Sequence, residues 1–278
     1  MATDRALMGI APASQGVSTL SDGGTVSMPL LTYQARSMAA LFTVSAAKAQ
    51  ALIPTRRLRP VRITPHRALA LVQVMEYIDK SISPYREFAF GLPVQAGGID
   101  VPGVSLTRWG QHSTNGVYIT HLAVDNDEAL KVGWEVLGFP KFRTSVGIHD
   151  DCGGEYVAEA TADDELIFSL GVTKSASAAR AHKRDFCCYT LSPVTNEVFR
   201  VPYQAEATAT VKLGSRSARL HLGSHPVAGE LRYLDLSSAP LCGVYIPQYA
   251  LISNRPDATI VVPGWRDPRD IYRRLRAD

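Results

Sequence analysis

Two strongly apolar runs, separated by a short polar turn, are the feature that most constrains this fold. The first run is Ala68–Ile78, the second is Tyr85–Val94, and the residues between them read Asp-Lys-Ser-Ile-Ser-Pro. Apolar runs of this length are typical of buried strands, and a connection that contains serine and proline is typical of a turn. The two runs therefore predict an antiparallel hairpin in the core.

Further strand-like segments lie on both sides of this hairpin. The stretch 30–44 predicts one long strand or a pair of strands, and Ser45 predicts the cap of a short helix that Pro54 ends. Downstream, alternating or apolar stretches predict strands at Gly116–Val124, Glu155–Ala162, Glu165–Val172, Val198–Gln204, Glu206–Leu213, residues 219–223 and Gly243–Ser253. This density of strands predicts a mainly antiparallel protein.

Helices and turns account for most of the remaining segments. Asp125–Val136 predicts a helix with Asp125 as its N-cap, and the glycine and proline that follow predict its end. The polar residues His149–Cys152 predict a turn, and Asp267–Leu275 predicts a short C-terminal helix. The pattern as a whole predicts an α+β fold of mostly antiparallel strands with a barrel-like arrangement.

The chain is expected to form a single domain over residues 28–278, preceded by an N-terminal arm over residues 1–27. The arm is rich in Ser, Gly, Ala and Thr and has weak periodicity, so we expect an extended segment, ordered on its own or only in an oligomer. In the rest of the chain there is no internal repeat and no low-complexity linker.

Composition excludes several classes of function. A net charge of +3, without aromatic residues among the clustered arginines, argues against a nucleic-acid partner. The sequence contains no run of about 18 apolar residues, so no membrane-spanning helix is predicted. The four cysteines have neither metal-binding nor secreted-framework spacing, which favours reduced thiols and a cytoplasmic location. There is no phosphate-binding loop or dinucleotide fingerprint, so no cofactor and no metal are expected.

The stretch with the clearest chemistry reads Gly-Trp-Glu-Val-Leu-Gly-Phe-Pro-Lys-Phe and ends at Phe142. Lys141 follows a rigid helix end and has aromatic and aliphatic neighbours, and apolar surroundings favour the neutral amine that can attack a carbonyl. The alternative interpretation is a surface lysine whose stem covers apolar residues.

This stretch resembles the Schiff-base motif of the acetoacetate decarboxylase family, Gly-Arg-Glu-x-x-Gly-(Phe/Tyr)-Pro-Lys-Lys. A second stretch, from Glu76 to Val94, is similar to the family's Tyr-x-Asp…Pro-Tyr-x-Glu strand pair, and Leu222–Pro226 resembles a weaker C-terminal pattern. The motifs occur in the family's order over roughly residues 30–255. Two motifs in register are more specific than either alone, and the resemblance implies that Lys141 is the imine-forming nucleophile.

The same resemblance implies roles for other residues. Glu87 matches the family's active-site glutamate, and Tyr85 of the same motif joins the substrate-binding set. Arg36 lies near the family's carboxylate-binding arginine, and Phe139 would supply an apolar wall. Two positions depart from the family: Phe142 replaces its second lysine, where it would add to the apolar wall, and Gln73 replaces a frequent glutamate.

The sequence thus predicts a carbon–carbon lyase that decarboxylates a small 3-oxo acid of the acetoacetate type through a lysine imine. One alternative is a Schiff-base aldolase or dehydratase on a 2-oxo acid such as pyruvate, which the two departures favour. Another is a barrel that binds a small molecule without catalysis. The family resemblance and the N-terminal arm also predict a homo-oligomer.

Overall fold

The computed structural model describes residues 16–97, 101–103, 114–151, 154–174 and 180–265. The strands are β1 Gly16–Thr19, β2 Thr25–Met28, β3 Leu30–Ser45, β4 Leu58–Pro60, β5 Arg67–Lys80, β6 Tyr85–Ala96, β7 Gly116–Val124, β8 Lys141–Arg143, β9 Ser145–Asp151, β10 Glu155–Ala162, β11 Glu165–Thr173, β12 Arg180–Leu191, β13 Glu197–Leu213, β14 Ala218–Leu222, β15 Cys242–Ser253 and β16 Ala258–Val261. The helices are α1 Ala46–Leu52, α2 Asp127–Val132 and α3 Pro226–Tyr233, and a π-helical turn, Gly133–Leu137, continues α2. Within these ranges, every helix is too short or too polar to traverse a lipid bilayer.

Seven strands close into a barrel in the order β6-β5-β3-β15-β13-β12-β7, and β7 pairs with β6 to complete the ring. Neighbouring strands are antiparallel except for β12 and β7, which are parallel. The predicted hairpin is present as β5 and β6, and the barrel-like α+β prediction is confirmed. Because the side chains of a strand alternate between its two faces, one set points into the lumen and the other points outward.

The outward face of the barrel packs against a second sheet with the strand order β14-β11-β10-β9. Aromatic rings fill the space between the two layers: Phe88 of β6 contacts Phe168 of β11 edge to face, with ring centroids 5.0 Å apart, and Phe90 is fully buried beside them. Edge-to-face pairs of this kind stabilise a core beyond their buried area. This outer core fixes which face of β6 points into the lumen.

The lumen contains a second buried cluster, and part of the N-terminal segment closes it. Val26 and Met28 of β2 are buried in this inner cluster. The preceding turn is held from the outside, since the Ser21 hydroxyl donates to Glu135 at 2.7 Å and Asp22 pairs with Lys131 at 2.5 Å. The described part of the predicted arm therefore folds against its own barrel.

Several local predictions differ from the structure. The N-cap of α2 is Asn126, whose side chain accepts from the Ala129 amide, whereas Asp125 accepts from the Arg86 amide. Residues 149–151 of the predicted polar turn are instead the end of β9, paired with β10, and Cys152 lies outside the described residues. The two strands predicted over 198–213 form the single strand β13, and β12, a barrel strand, was missed because it is largely polar at its start. The predicted C-terminal helix lies outside the described residues.

Candidate active site

A buried ion pair between Lys141 and Glu87 lies at the inner face of the barrel. Lys141 Nζ is 2.8 Å from Glu87 Oε2, and the two side chains are only 5% and 9% exposed. Lys141 comes from the short strand β8, which pairs with β7, and Glu87 comes from β6 on the other side of β7. Two charges removed from water need each other, because either one alone would be strongly disfavoured.

The helix that precedes Lys141 holds its backbone in a fixed direction. Gly138 adopts a left-handed conformation (φ 71°) at the end of the π-helical turn, and the Phe139 amide donates back to the Gly133 carbonyl at 2.8 Å. The Trp134 indole donates to the Lys141 carbonyl at 2.6 Å. Gly133 also leaves room for the lysine stem, which passes directly over its Cα. The residues of the sequence motif therefore act together to aim the amine into the lumen.

Phenol groups surround the carboxylate of the pair. The Tyr77 hydroxyl donates to Glu87 Oε1 at 3.3 Å, and the Tyr85 ring lies 5.1 Å from Lys141 Nζ. Burial, followed by the negative charge of Glu87, raises the pKa of both tyrosines well above the usual value, so both remain protonated donors at neutral pH. The carboxylate thus has one ammonium and one hydroxyl partner.

A second amine, Lys80, lies on the other side of the same tyrosines. Its Nζ donates to the Tyr85 hydroxyl at 2.8 Å and is 4.0 Å from the centroid of the Tyr77 ring. Burial, and then the positive charge of Lys141, lower the pKa of Lys80 to about 7, with Glu87 acting in the opposite direction. In the described part of the chain, no carboxylate lies within ion-pair distance of this amine. With a pKa of about 7, Lys80 is partly protonated at neutral pH, and its charged form lacks a close counter-ion among the described residues.

A cavity of about 320 Å³ lies among the inward-facing side chains of the same barrel. Gln73 lines its wall, where the Gln73 amide donates to the Ser37 hydroxyl at 3.0 Å. Among the described residues, no group of three or more His, Cys, Asp or Glu side chains is arranged to hold a metal ion.

The structure brings together four of the predicted residues around the amine. Lys141 and Glu87 form the ion pair, Tyr85 lies beside it, and Phe139 is buried in the inner cluster directly before β8. Gln73 lines the adjoining cavity.

Arg36 and Phe142 are not brought to the pair. Arg36 pairs with Glu76 across β3 and β5, and Arg86 of β6 pairs with the same carboxylate at 2.9 Å. This ladder lies on the outward face, so the predicted contact of Arg36 with the substrate carboxylate has no basis in the structure. Phe142 follows Lys141 in a strand and must face the opposite way; its ring packs edge to face on Phe88, 5.7 Å between centroids, in the outer core.

Sequence reasoning missed Lys80 and Tyr77. Both lie at the end of β5, and Lys80 was assigned to the turn between two strands. The sequence did contain a signal for Tyr77. Side chains alternate along a strand, and Tyr77 is four residues after Gln73, so both point to the same face of β5. No comparable signal marked Lys80, since its contact with Tyr85 depends on how far the hairpin continues.

Comparison with known proteins identifies the family to which this chain belongs. The model of the family described as acetoacetate decarboxylase matches residues 18–252. The chain belongs to the acetoacetate decarboxylase family. No curated protein sequence matches it closely enough to count as a relative.

Solved structures share the fold of this family member at low sequence identity. One acetoacetate decarboxylase has 16% identity and a TM-score of 0.61, over 85% of this chain and 91% of that one. The acetoacetate decarboxylase of Legionella pneumophila has 12% identity and a TM-score of 0.59, over 90% and 93%. The enduracididine biosynthesis enzyme MppR has 11% identity and a TM-score of 0.54, over 85% and 89%. These likenesses confirm the acetoacetate decarboxylase fold.

Proposed function

We propose that this protein is a Schiff-base enzyme that decarboxylates a 3-oxo acid, with Lys141 as the nucleophile and Glu87 as its proton-transfer partner. The observation that carries the proposal is the buried ion pair between these two residues, 2.8 Å apart, at the inner face of the barrel. Membership of the acetoacetate decarboxylase family supports it.

The first step requires a neutral amine. Glu87 Oε2 is placed to accept a proton from Lys141 Nζ, after which the nitrogen lone pair attacks the keto carbon of the substrate. Loss of water from the adduct, with the oxygen leaving as it gains a proton, gives the protonated imine. The Tyr77 hydroxyl keeps its bond to the other oxygen of Glu87, which holds the carboxyl group in place during the transfer.

The second step uses the imine as an electron acceptor. The bond between the carboxylate and its neighbouring carbon breaks, its electron pair forms the enamine, and carbon dioxide leaves. The enamine carbon then takes a proton, for which Glu87 is the nearest buried acid, and water releases the ketone and the free lysine. Apolar groups such as Phe139 and Leu122 keep bulk water away from the reacting carboxylate.

Lys80 is the cation that we assign to the substrate carboxylate. Its ammonium already bonds to Tyr85 beside the pair and lacks a close carboxylate in the described residues. A charge-assisted bond to a carboxylate would stabilise the bound acid next to the imine carbon. The family resemblance implies that Arg36 binds the substrate carboxylate; this assignment gives that role to Lys80, whose amine lies beside the lumenal tyrosines.

A second candidate is an aldolase or dehydratase that acts on a 2-oxo acid through the same lysine. The neutral amide of Gln73 in the cavity wall favours it, because an amide can hold an oxygen but cannot transfer a proton. MppR, which shares the fold, has been solved with the condensation product of pyruvate and imidazole 4-carboxaldehyde.

Borohydride trapping tests the proposal. The protein is incubated with acetoacetate or with pyruvate, reduced, digested and analysed by mass spectrometry. We expect a stable adduct on Lys141 in the wild type and in Lys174→Arg, a surface control, and no adduct in Lys141→Arg. No adduct on Lys141 with any short or medium-chain keto acid would rule out the proposed imine chemistry. Release of carbon dioxide from acetoacetate, against a new carbon–carbon bond from pyruvate and an aldehyde, separates the two candidate reactions.

A further inference from the structure

The lumenal cavity is larger and more apolar than a four-carbon acid requires. Its volume of about 320 Å³ falls at the lower end of the range for sites that bury a whole drug-sized ligand, roughly 300–1,000 Å³. Five of the seven barrel strands contribute to its wall, and most of the inward side chains are aliphatic or aromatic: Leu71, Val117, Ile119, Phe186, Ala205 and Ala207.

The strand register places this cavity close to the ion pair along the barrel. Gln73, in the wall, is two residues before Met75 on β5, and Met75 lies directly opposite Glu87 on β6. At about 3.3 Å per residue, the wall residue is roughly 7 Å from the level of the carboxylate along the strand. The cavity and the reacting amine therefore occupy successive levels of one lumen.

Contacts on the opposite wall give the same continuity. Phe186 lines the cavity and stacks on Tyr203, with ring centroids 5.0 Å apart. Tyr203 belongs to the same buried inner cluster as Leu122 and Phe139, and burial, then the charges of Cys188 and Glu87, raise its pKa well above the usual value. Cys188 itself lines the cavity.

The two ends of the lumen differ in character. Near the pair, Lys80 provides a positive charge, and Met28 closes the lumen behind it. At the other end, Ala207 and Ala209 leave open space between the walls, and exposed Arg184 and His182 lie at the mouth. An acid whose keto carbon is at Lys141 and whose carboxylate is at Lys80 would direct its remaining chain into the apolar cavity.

We infer that the substrate is a keto acid with an unbranched apolar chain of several carbons beyond the keto group, and that this chain occupies the cavity between Gln73 and Ala207. The inference rests on the proposed function and specifies its substrate class. Each methylene buried in such a wall contributes favourably to binding, so a medium-chain acid gains affinity that acetoacetate does not.

Two pairs of probes test the inference: acetoacetate with 3-oxooctanoate, and pyruvate with 2-oxooctanoate. Adduct formation on Lys141 under borohydride is measured as a function of acid concentration. For at least one pair, we expect the eight-carbon acid to reach half-maximal trapping at a concentration at least about tenfold lower than its short partner.

Ala207→Phe fills the cavity far from the reacting amine, and Ala181→Phe is its matched control. Ala181 is exposed on the outward face of the neighbouring strand β12, where it pairs with Thr208 of β13. We expect Ala207→Phe to remove the advantage of the eight-carbon acid while trapping of the short acid stays within about twofold, and Ala181→Phe to change neither. Circular dichroism confirms that both variants are folded.

The failures are distinguishable. If the short acids are trapped and the eight-carbon acids are not, or if Ala207→Phe weakens both to the same extent, the chain-length inference is wrong and the Schiff-base function stands. If no acid is trapped on Lys141, the proposed function fails and the inference fails with it.

Discussion

A methyl group on Gly133 would lie 2.6 Å from Cε and 3.0 Å from Cγ of Lys141. Non-bonded carbon atoms pack at about 3.5–4.0 Å, so the lysine stem occupies the space that any side chain at position 133 would need. The backbone of Gly133 is helical (φ −60°), a conformation that alanine adopts freely. The glycine is therefore required by this close approach and not by the backbone.

Gly133→Ala should displace the Lys141 amine from Glu87 while the fold is kept. We expect imine formation to slow by about a hundredfold, since small misplacements of a reacting group have effects of this size. Gly229→Ala in α3 is the matched control, because nothing lies within 4 Å of its added methyl group. Rates of borohydride trapping compare the two; equal rates would contradict the assigned contact.

The ion pair predicts an unusual pattern of stabilities. Lys141→Met leaves a carboxylate buried without its cation and should lower the free energy of unfolding by about 3–5 kcal/mol. The double variant Lys141→Met/Glu87→Gln removes both charges and should regain most of this loss, although it stays inactive. Urea denaturation of the single and double variants measures the coupling. A Lys141→Met variant as stable as the wild type would mean that the two groups are not paired.

Glu87→Gln separates proton transfer from positioning. The amide keeps the shape of the side chain and can still accept from Tyr77, but it cannot move a proton. We expect kcat to fall by about 10²–10⁴-fold, the usual contribution of a general acid–base group, with a much smaller change in KM. Steady-state kinetics on acetoacetate or a longer 3-oxo acid gives both constants. A pure rise in KM would assign Glu87 to binding alone.

Substitution of Lys80 and substitution of Arg36 should have opposite consequences for KM: the first should raise it and the second should leave it nearly unchanged. Lys80→Met should raise KM by roughly ten- to a hundredfold, the value of a lost charge-assisted hydrogen bond. Arg36→Met should leave KM within about twofold and lower stability by up to about 1 kcal/mol, because its partly exposed ion pair is worth little. Burial raises the pKa of Glu76, but the bonds from Arg86 and then Arg36 outweigh burial, so Arg86 still holds that carboxylate in the variant. The reverse order of effects on KM would restore the role implied by the family motif.

Features that lie within one short sequence motif could be predicted from the sequence, whereas features that depend on how strands pair could not. Lys141 and Glu87 lie in two stretches that resemble family motifs, and this resemblance, more than local periodicity, singled out the two side chains that the structure brings within 2.8 Å; their catalytic roles stay predictions. Arg36 was assigned by the family resemblance and lies on the outward face in the structure; β3 shifts register against β5 near Thr32 and Ala35, so strand alternation in the sequence does not fix the face that Arg36 takes. Lys80 was not found, since its contacts with Tyr77 and Tyr85 depend on how far the β5–β6 hairpin continues.

The titration of Lys80 gives the sharpest test of its environment. Its pKa is about 7 in the folded protein and about 10.4 in an unfolded chain, so between these values the unfolded state binds more protons. Stability therefore rises with pH across this window, because the penalty of a charged Lys80 is fully present below about pH 7 and disappears as the pH approaches 10. Lys80→Met should stabilise the protein most at pH 6, and this gain should shrink steadily by pH 9. Lys183→Met, which removes an exposed lysine on the outer face of β12, is the control. Urea denaturation at pH 6, 7.5 and 9 measures all three proteins, and a pH-independent effect of Lys80→Met would place its amine in solvent.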